Sequence, residues 1–266
     1  MSKNKNIPWW EESYGFFGGF YMEGDNSKNG YLSEKTQNLN QRTNAEVKGI
    51  VKLMSLNPSA SILDVPCGYG RHSIALAKKG FLVTGSDLNT CHLEFAKKQA
   101  KKNSAKVKFV KENMLDIDYK VQFDAVVNMF YSFGFFEKEK DNFKVLQNFF
   151  KVLKPGGKFL MHTDVNISRI LNGKYKHDEI RTLKSGKRLR IIDNYDPVTK
   201  RMNGAWILID KNGNEERKDY SVRVYTKDEF IKLCKRAGFK FCSVFSDWSG
   251  KPYDTESEDM IVVATK

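Results

Sequence analysis

Two carboxylates and a pair of glycines carry the chemistry that this sequence shows most openly. Ser61-Ile62-Leu63-Asp64 is an apolar run closing on an acid, Cys67-Gly68-Tyr69-Gly70 is a turn, and Ser73-Ile74-Ala75-Leu76-Ala77 forms helix. A strand feeding a glycine turn and a helix cradles a nucleotide-like ligand. Glycine lets the main chain come close, and the helix start offers unpaired N–H groups. No Lys-Ser/Thr pair follows the turn, and Asp64 puts negative charge beside the ligand. A cationic or polyhydroxylated ligand suits that better than a pyrophosphate. The second carboxylate, Asp87, follows the strand-like run Phe81-Leu82-Val83-Thr84-Gly85-Ser86. It stands about twenty residues beyond the turn, where an acid accepts hydrogen bonds from a ribose diol.

With these residues in order, the chain resembles the class I S-adenosylmethionine-dependent methyltransferases. Leu63-Asp64-Val65-Pro66-Cys67-Gly68-Tyr69-Gly70 and Gly85-Ser86-Asp87-Leu88 carry the likeness. So do Asn113-Met114-Leu115-Asp116, Phe123-Asp124-Ala125-Val126-Val127-Asn128 and Leu153-Lys154-Pro155-Gly156-Gly157. Pro66 stands where the family usually has glycine, which removes a backbone donor and stiffens the turn. The resemblance implies S-adenosyl-L-methionine as cofactor, with Gly68 and Gly70 against its amino-acid portion and Asp64 near its ammonium. Asp87, with Leu88 beside it, is expected on the ribose, and Asn113, Met114 and Leu115 at the adenine. Asn113 replaces the usual Asp; its amide oxygen can still accept from the adenine amino group, and its alternative role is a turn residue. Asn128 and Met129 are expected under the methionine moiety. Relatives acting on small amines close the cofactor with an N-terminal aromatic lid and pair an Arg with its carboxylate; Tyr21, Tyr31 and Arg42 are the matching candidates.

Methyl transfer is an in-line displacement, so positioning the acceptor matters more than elaborate chemistry. His162, at the tip of the fifth strand, is the candidate proton acceptor, with a structural histidine as its alternative. Tyr131, after the fourth strand, and Tyr14, in the aromatic N-terminus, are candidates to contact the acceptor. These residues point to a methyltransferase acting on N or O of a small-molecule metabolite. The alternative is an RNA methyltransferase, raised only by a net charge of +13. Asn128-Met129-Phe130-Tyr131 lacks the paired prolines of base-amine methylating enzymes, and the lysines lie spread along helices beside acids, so nucleic acid is not the expected partner. A third reading, a cofactor-binding protein without catalysis, conflicts with the intact Asp64, Gly68, Gly70 and Asp87.

The elements that must hold these groups follow from periodicity. Strands are expected at 61–65, 81–86, 106–111, 123–129, 157–163, 239–246 and 259–265, with helices at 71–79, 90–102, 137–153 and 226–237. Lys154-Pro155-Gly156-Gly157 reads as a helix stop before the fifth strand. Three β-type runs, 188–194, 202–210 and 217–226, follow without helices between them. The expected fold is α/β, a Rossmann-like, doubly wound, mostly parallel seven-stranded sheet with an antiparallel β-meander inserted after the fifth strand. Residues 1–40 form an aromatic N-terminal lid, 41–266 the methyltransferase domain, and 165–225 a β-rich cap within it. Deleting the lid is expected to leave a folded core. No apolar run reaches the ~18 residues of a membrane span, and the polar start leads to no signal core, so a cytoplasmic protein is expected. Cys67, Cys91, Cys234 and Cys242 make no Cys-x-x-Cys pair and read as reduced thiols, and no metal is expected. The insert could also support a homodimer.

Overall fold

A computed structural model describes residues 7–27, 38–120, 122–130 and 132–266 of the protein. Tyr31 and Tyr131 lie outside the described residues. Strands β1 (Ser61–Asp64), β2 (Leu82–Asp87), β3 (Val107–Lys111), β4 (Phe123–Asn128), β5 (Leu153–Thr163), β10 (Phe241–Phe245) and β11 (Met260–Thr265) form one sheet. Its order is β10-β11-β5-β4-β1-β2-β3, with β11 antiparallel to both neighbours and the other strands parallel. Such strands are buried on both faces, so they read as unbroken apolar runs. Ile62-Leu63 and Ala125-Val126-Val127 are such runs, all fully buried.

Helices cover both faces. α5 (Glu139–Val152) and α7 (Lys227–Ala237) pack Phe149 and Phe230 against Leu63, Val126 and Phe159. On the other face, α2 (Leu39–Leu53) and α3 (Arg71–Lys78) pack Val47, Ile50 and Leu76 against Ile62, Val127 and Ile261. α4 (Thr90–Lys102) lies against β2 and β3. Strand order reverses between β1 and β4, which opens a ligand crevice at their carboxyl ends. Thr226 caps α7 reciprocally with Glu229, as the Thr-x-x-Glu spacing leads one to expect.

Two elements differ from the sequence expectation. β5 already begins at Leu153, so Lys154-Pro155-Gly156-Gly157 lies within the strand as an irregularity, not before it. Phe123 pairs with Leu153 but Ala125 with Lys158, and Gly156 takes φ +77° to absorb the extra residues. The insert also has a fourth strand. β6 (Asp178–Thr182), β7 (Arg188–Asp196), β8 (Arg201–Ile209) and β9 (Glu215–Arg223) run as an antiparallel meander in that order, after the short α6 (Ile167–Leu171). β6 is an edge strand of sequence Asp-Glu-Ile-Arg-Thr, and so mostly charged. Edge strands carry charge to deter pairing, and that hid it from a hydrophobic reading.

The N-terminal segment, which includes α1 (Gly19–Gly24), packs on the inner face of the insert. Phe16 and Phe20 share a core with Leu183, Leu189 and Leu208. Among the described residues no helix is long and apolar enough to cross a membrane.

Candidate functional site

At the end of β1 the chain turns through Pro66, Cys67, Gly68, Tyr69 and Gly70 into α3, following a cis Val65–Pro66 peptide. Gly70 has φ +82°, and a Cβ on it would sit 2.7 Å from Ala96 Cβ, so only glycine lets α3 start this close to α4. Gly68 has φ +53° and open space where a Cβ would be. Its N–H donates to Asp87 Oδ2 at 2.7 Å, and Asn89 N–H donates to Asp87 Oδ1 at 2.8 Å. Burial pushes the Asp87 carboxyl up to about 6, against the pull of these N–H donors. Asp64 lies beneath the turn and accepts from Ser73 Oγ at 2.5 Å. Burial drives it up to about 7, with the Ser73 hydroxyl and the Arg71 cation opposing and Asp87 adding to the rise.

The remaining cofactor-side candidates gather around the same crevice. Asn113 caps a 3-10 turn at Met114–Asp116, and its Oδ1 accepts from Leu115 N–H at 3.0 Å. That is the turn role its sequence position also allowed. Met114 is buried, and Asn148 on α5 donates to the carbonyls of Met114 and Leu115 at 3.0 Å. Asn128 is fully buried at the end of β4; its Nδ2 donates to Val65 O at 2.8 Å, while its Oδ1 has no hydrogen-bond partner. Ser86 Oγ on β2 is likewise buried without one. Met129 is buried in the α2-side core, and Leu88 follows Asp87 into the loop before α4.

Arg42 on α2 joins a charged cluster that spacing alone did not reveal. Its Nε lies 2.9 Å from Glu46 Oε1, and Arg71 pairs with Glu46 Oε2. His72 Nε2 stands 2.8 Å from the same Oε2. Arg71 also donates to Thr43 Oγ1 at 2.9 Å. Although burial alone would raise it, Glu46 is held well below the usual carboxylate range by Arg71, His72 and Arg42. Burial and the Arg71 cation take His72 down to about 4, so its ring is neutral. Both guanidinium groups sit 4.6 Å from the centre of the Phe130 ring, just past β4. Glu46 was visible in the sequence only as an acid four residues after Arg42.

Residues 62–157 match the family described as a methyltransferase domain. A Bacillus subtilis (strain 168) protein named "Putative methyltransferase YqeM" is 28% identical over 223 residues, which span 80% of this chain and 86% of that protein. The CcbJ methyltransferase from Streptomyces caelestis has a TM-score of 0.73 at 17% identity, covering 84% of this chain and 89% of its own. SAM-bound CalS10, an amino pentose methyltransferase from Micromonospora echinaspora, gives 0.63 at 21% identity, over 84% and 90%. At these identities the two structures speak for the fold. The chain carries a methyltransferase domain on the fold of the class I methyltransferases.

In this methyltransferase the N-terminal segment is fastened over the crevice at several points. Gly18 N–H donates to His92 Nε2 at 2.9 Å, and Thr90 N–H donates to Glu12 at 3.0 Å. Tyr69, in the glycine turn, donates to Asp25. Burial lifts Asp25 to about 6 against the pull of Arg71. Tyr21 stacks on Trp206 of the insert at 5.2 Å and 10°, and burial keeps its phenol protonated.

Two of the three catalytic candidates take positions that differ from the expectation. Tyr14 docks on the outer strand of the insert, where its hydroxyl accepts from Asp219 N–H at 3.1 Å and its carbonyl from Lys218 Nζ at 3.0 Å. Those contacts fasten the segment to an edge and turn the hydroxyl to the insert. His162 pairs with Ile261 across β5 and β11, and so faces the α2-side core. Its ring packs between Phe130 (4.9 Å) and Trp248 (5.0 Å), 1% exposed. Alternation along β5 turned His162 away from the opening, which its place near the strand tip alone did not convey.

A cleft of about 760 Å³ opens between α2, α3 and α4, lined by Asp25, Thr43, Tyr69, Arg71, Phe95 and Gln99. It meets the glycine turn at Tyr69 and the start of α3 at Arg71, and Asp87, Asn113 and Asn128 are not on its walls. Depth alone is therefore a poor guide here, and the crevice at β1 and β2 has the better donor and acceptor set.

Proposed function

We propose that this enzyme transfers a methyl group from S-adenosyl-L-methionine to a nitrogen or oxygen of a small-molecule metabolite. The residues at the crevice fit the cofactor. Gly68 leaves open space beside the turn, Asp87 keeps a lone pair on each oxygen for ribose hydroxyls, and Asn128 Oδ1 is a buried acceptor awaiting a donor. Asp64 supplies negative charge for the ammonium, and Arg42 with Arg71 supplies positive charge for the carboxylate. Met114 and Leu115 offer apolar surface to the adenine. When bound, S-adenosylmethionine presents an electrophilic methyl on a sulfonium centre. The chain's own work is to hold the acceptor in line and to keep water out.

The observation that carries the small-molecule reading is the aromatic enclosure over the crevice. Trp9, Phe17 and Tyr21 from the N-terminal segment meet Phe135 from the loop after β4 and Trp206 and Tyr220 from the insert. Trp9 lies 4.7 Å from Phe135, Phe17 stacks on Phe135 at 5.7 Å, and Tyr21 stacks on Trp206. Gly134 fixes that loop to β9: Arg223 N–H donates to its carbonyl at 2.9 Å, and a Cβ there would lie 2.4 Å from Arg223 O. Rings packed together over the crevice deny the broad open approach that a polymer needs, which favours a metabolite. Incubation with methyl-labelled S-adenosylmethionine and a metabolite extract tests it. Labelled product among small molecules supports the reading, and label found only in RNA overturns it.

A further inference from the structure

The middle of the insert's inner face is apolar on both sides of one row, with the Glu179–Arg181 pair and Lys218 toward its edges. Asp193, Gly204 and Tyr220 pair directly across β7, β8 and β9. On that face the row is flanked by Ile191 and Trp206 to one side and by Tyr195, Met202 and Val222 to the other. Gly204 makes the row possible, because a Cβ there would lie 2.4 Å from Tyr220 Cζ and 2.5 Å from Asp193 Oδ1. Across the gap the Tyr220 hydroxyl donates to Asp193 Oδ1, and the Tyr175 hydroxyl donates to Oδ2 at 2.9 Å.

Each carboxylate oxygen thus takes one phenol and keeps a lone pair. A buried carboxylate is costly unless it is paired with charge, and two neutral phenols offset that only in part. Burial raises the Asp193 carboxyl, with the two phenols and His177 opposing. Burial and the Asp193 charge push both phenols well up, so they remain donors. Asp164, just past the end of β5, adds negative field at Asp193, Tyr175, Tyr220 and Tyr21. Rings complete the wall: Tyr220 lies 5.8 Å from Trp9 and 5.7 Å from Phe16, and Phe16 lies 5.5 Å from Trp206. A carboxylate fork within an aromatic wall binds an organic cation by charge-assisted hydrogen bonds and by ring faces. A neutral hydroxyl gains neither to the same degree.

We infer that Asp193, framed by Tyr175 and Tyr220, seats the amino group of the methyl acceptor, so that the enzyme's substrates are amines. The ammonium would dock on the carboxylate and yield one proton to it, and the nitrogen lone pair so freed would take the methyl as its bond to the donor sulfur breaks. This rests on the small-molecule reading above and narrows it to a substrate class. Were the row only a structural tie, its loss would lower stability without changing the affinity for any one acceptor.

The test uses the full chain with methyl-labelled S-adenosylmethionine and a metabolite extract, the labelled atom being located by mass spectrometry. Label on nitrogen is expected. Label only on oxygen, sulfur or carbon overturns the amine assignment and leaves the small-molecule reading standing; no labelled small molecule overturns both. On the labelled amine, Asp193→Asn is expected to lower kcat/KM about 30- to 100-fold, chiefly through KM, as loss of a buried charge partner does. Cofactor affinity by calorimetry in the absence of acceptor should stay within about twofold, since Asp193 bonds to none of the residues assigned to the cofactor. An unchanged KM in Asp193→Asn overturns the assignment. Tyr220→Phe keeps the charge and the ring and should lose about 3- to 10-fold in KM. If Asp193→Asn fails to fold, Tyr220→Phe decides, and an unchanged KM there overturns the assignment.

Discussion

Gly68 gives its backbone N–H to Asp87 at 2.7 Å, so the glycine turn and the carboxylate proposed for the ribose form one hydrogen-bonded unit. Asp87 therefore shapes the turn, and in the proposed site it would also offer lone pairs to the ligand. Asp87→Asn places an amide NH₂ where one oxygen now accepts, opposite a backbone N–H from Gly68 or Asn89. Two donors then face each other in a buried place, at a cost of about 1–3 kcal/mol. Affinity for S-adenosylmethionine, measured by calorimetry, is expected to fall at least about tenfold. An unaltered dissociation constant would remove Asp87 from the cofactor site.

The acids of the turn also set a pH dependence. Burial raises Asp64 to about 7 and Asp87 to about 6. A ligand that brings an ammonium and hydroxyl donors favours the ionised carboxylates, so binding lowers both values and expels protons. Cofactor affinity should thus rise as pH goes from about 5.5 to 7.5, above which the ligand's own α-amino group starts to lose its proton. Calorimetry in two buffers of different ionisation enthalpy should detect proton release near pH 6.5. Proton uptake at that pH, or affinity that falls across the window, would contradict the charges assigned to Asp64 and Asp87.

The residues of the proposed cofactor site could be picked out in sequence because they are local. Asp64, Gly68 and Gly70 lie within one turn, and Asp87 follows at the distance set by one helix and one strand. The proposed acceptor site could not, because its contacts join segments far apart in the chain. Tyr21 meets Trp206 only once the N-terminal segment docks on the insert, and Tyr220 meets Asp193 only across the intervening β8. Asp193 reads in sequence as an ordinary strand acid, and Gly204 as a weak point in a strand. His162 was located on the right strand, but its side chain faces the core shared with α2. Arg71 and Glu46 meet because α2 lies beside α3, and no spacing rule connects them.

The N-terminal segment is more than a cover. Phe16 and Phe20 complete the core beneath Leu183, Leu189 and Leu208, and a Cβ on Gly24 would press on Trp206 at 2.7 Å. Deleting residues 1–27 would strip these rings and bare an apolar sheet face. At about 25 cal/mol per Å², two buried Phe side chains alone are worth about 3–6 kcal/mol. The truncate is therefore expected to lose the insert's order or to aggregate, and not to persist as a quiet open core. Size-exclusion chromatography with hydrogen exchange on β7 and β8 distinguishes these outcomes. A monodisperse truncate with protected β7 and β8 amides would show that the insert stands alone.

His162 offers a test of packing against catalysis. Neither ring nitrogen makes a hydrogen bond, the Asp259 carboxylate standing 3.4 Å from Nε2, and the ring is wedged between Phe130 and Trp248. A buried polar atom without a partner costs about 1–3 kcal/mol, which an apolar replacement recovers. His162→Leu should therefore hold or raise the melting temperature, whereas His162→Ala opens a cavity and should cost about 2–4 kcal/mol. If the residue only packs, the Leu variant keeps kcat within about threefold, the size of a small geometric disturbance. A fall of about a hundredfold or more in kcat, with cofactor affinity and melting temperature intact, is the mark of a lost general base. That result would move His162 into the chemistry and require the ring to leave its place between Phe130 and Trp248 during turnover.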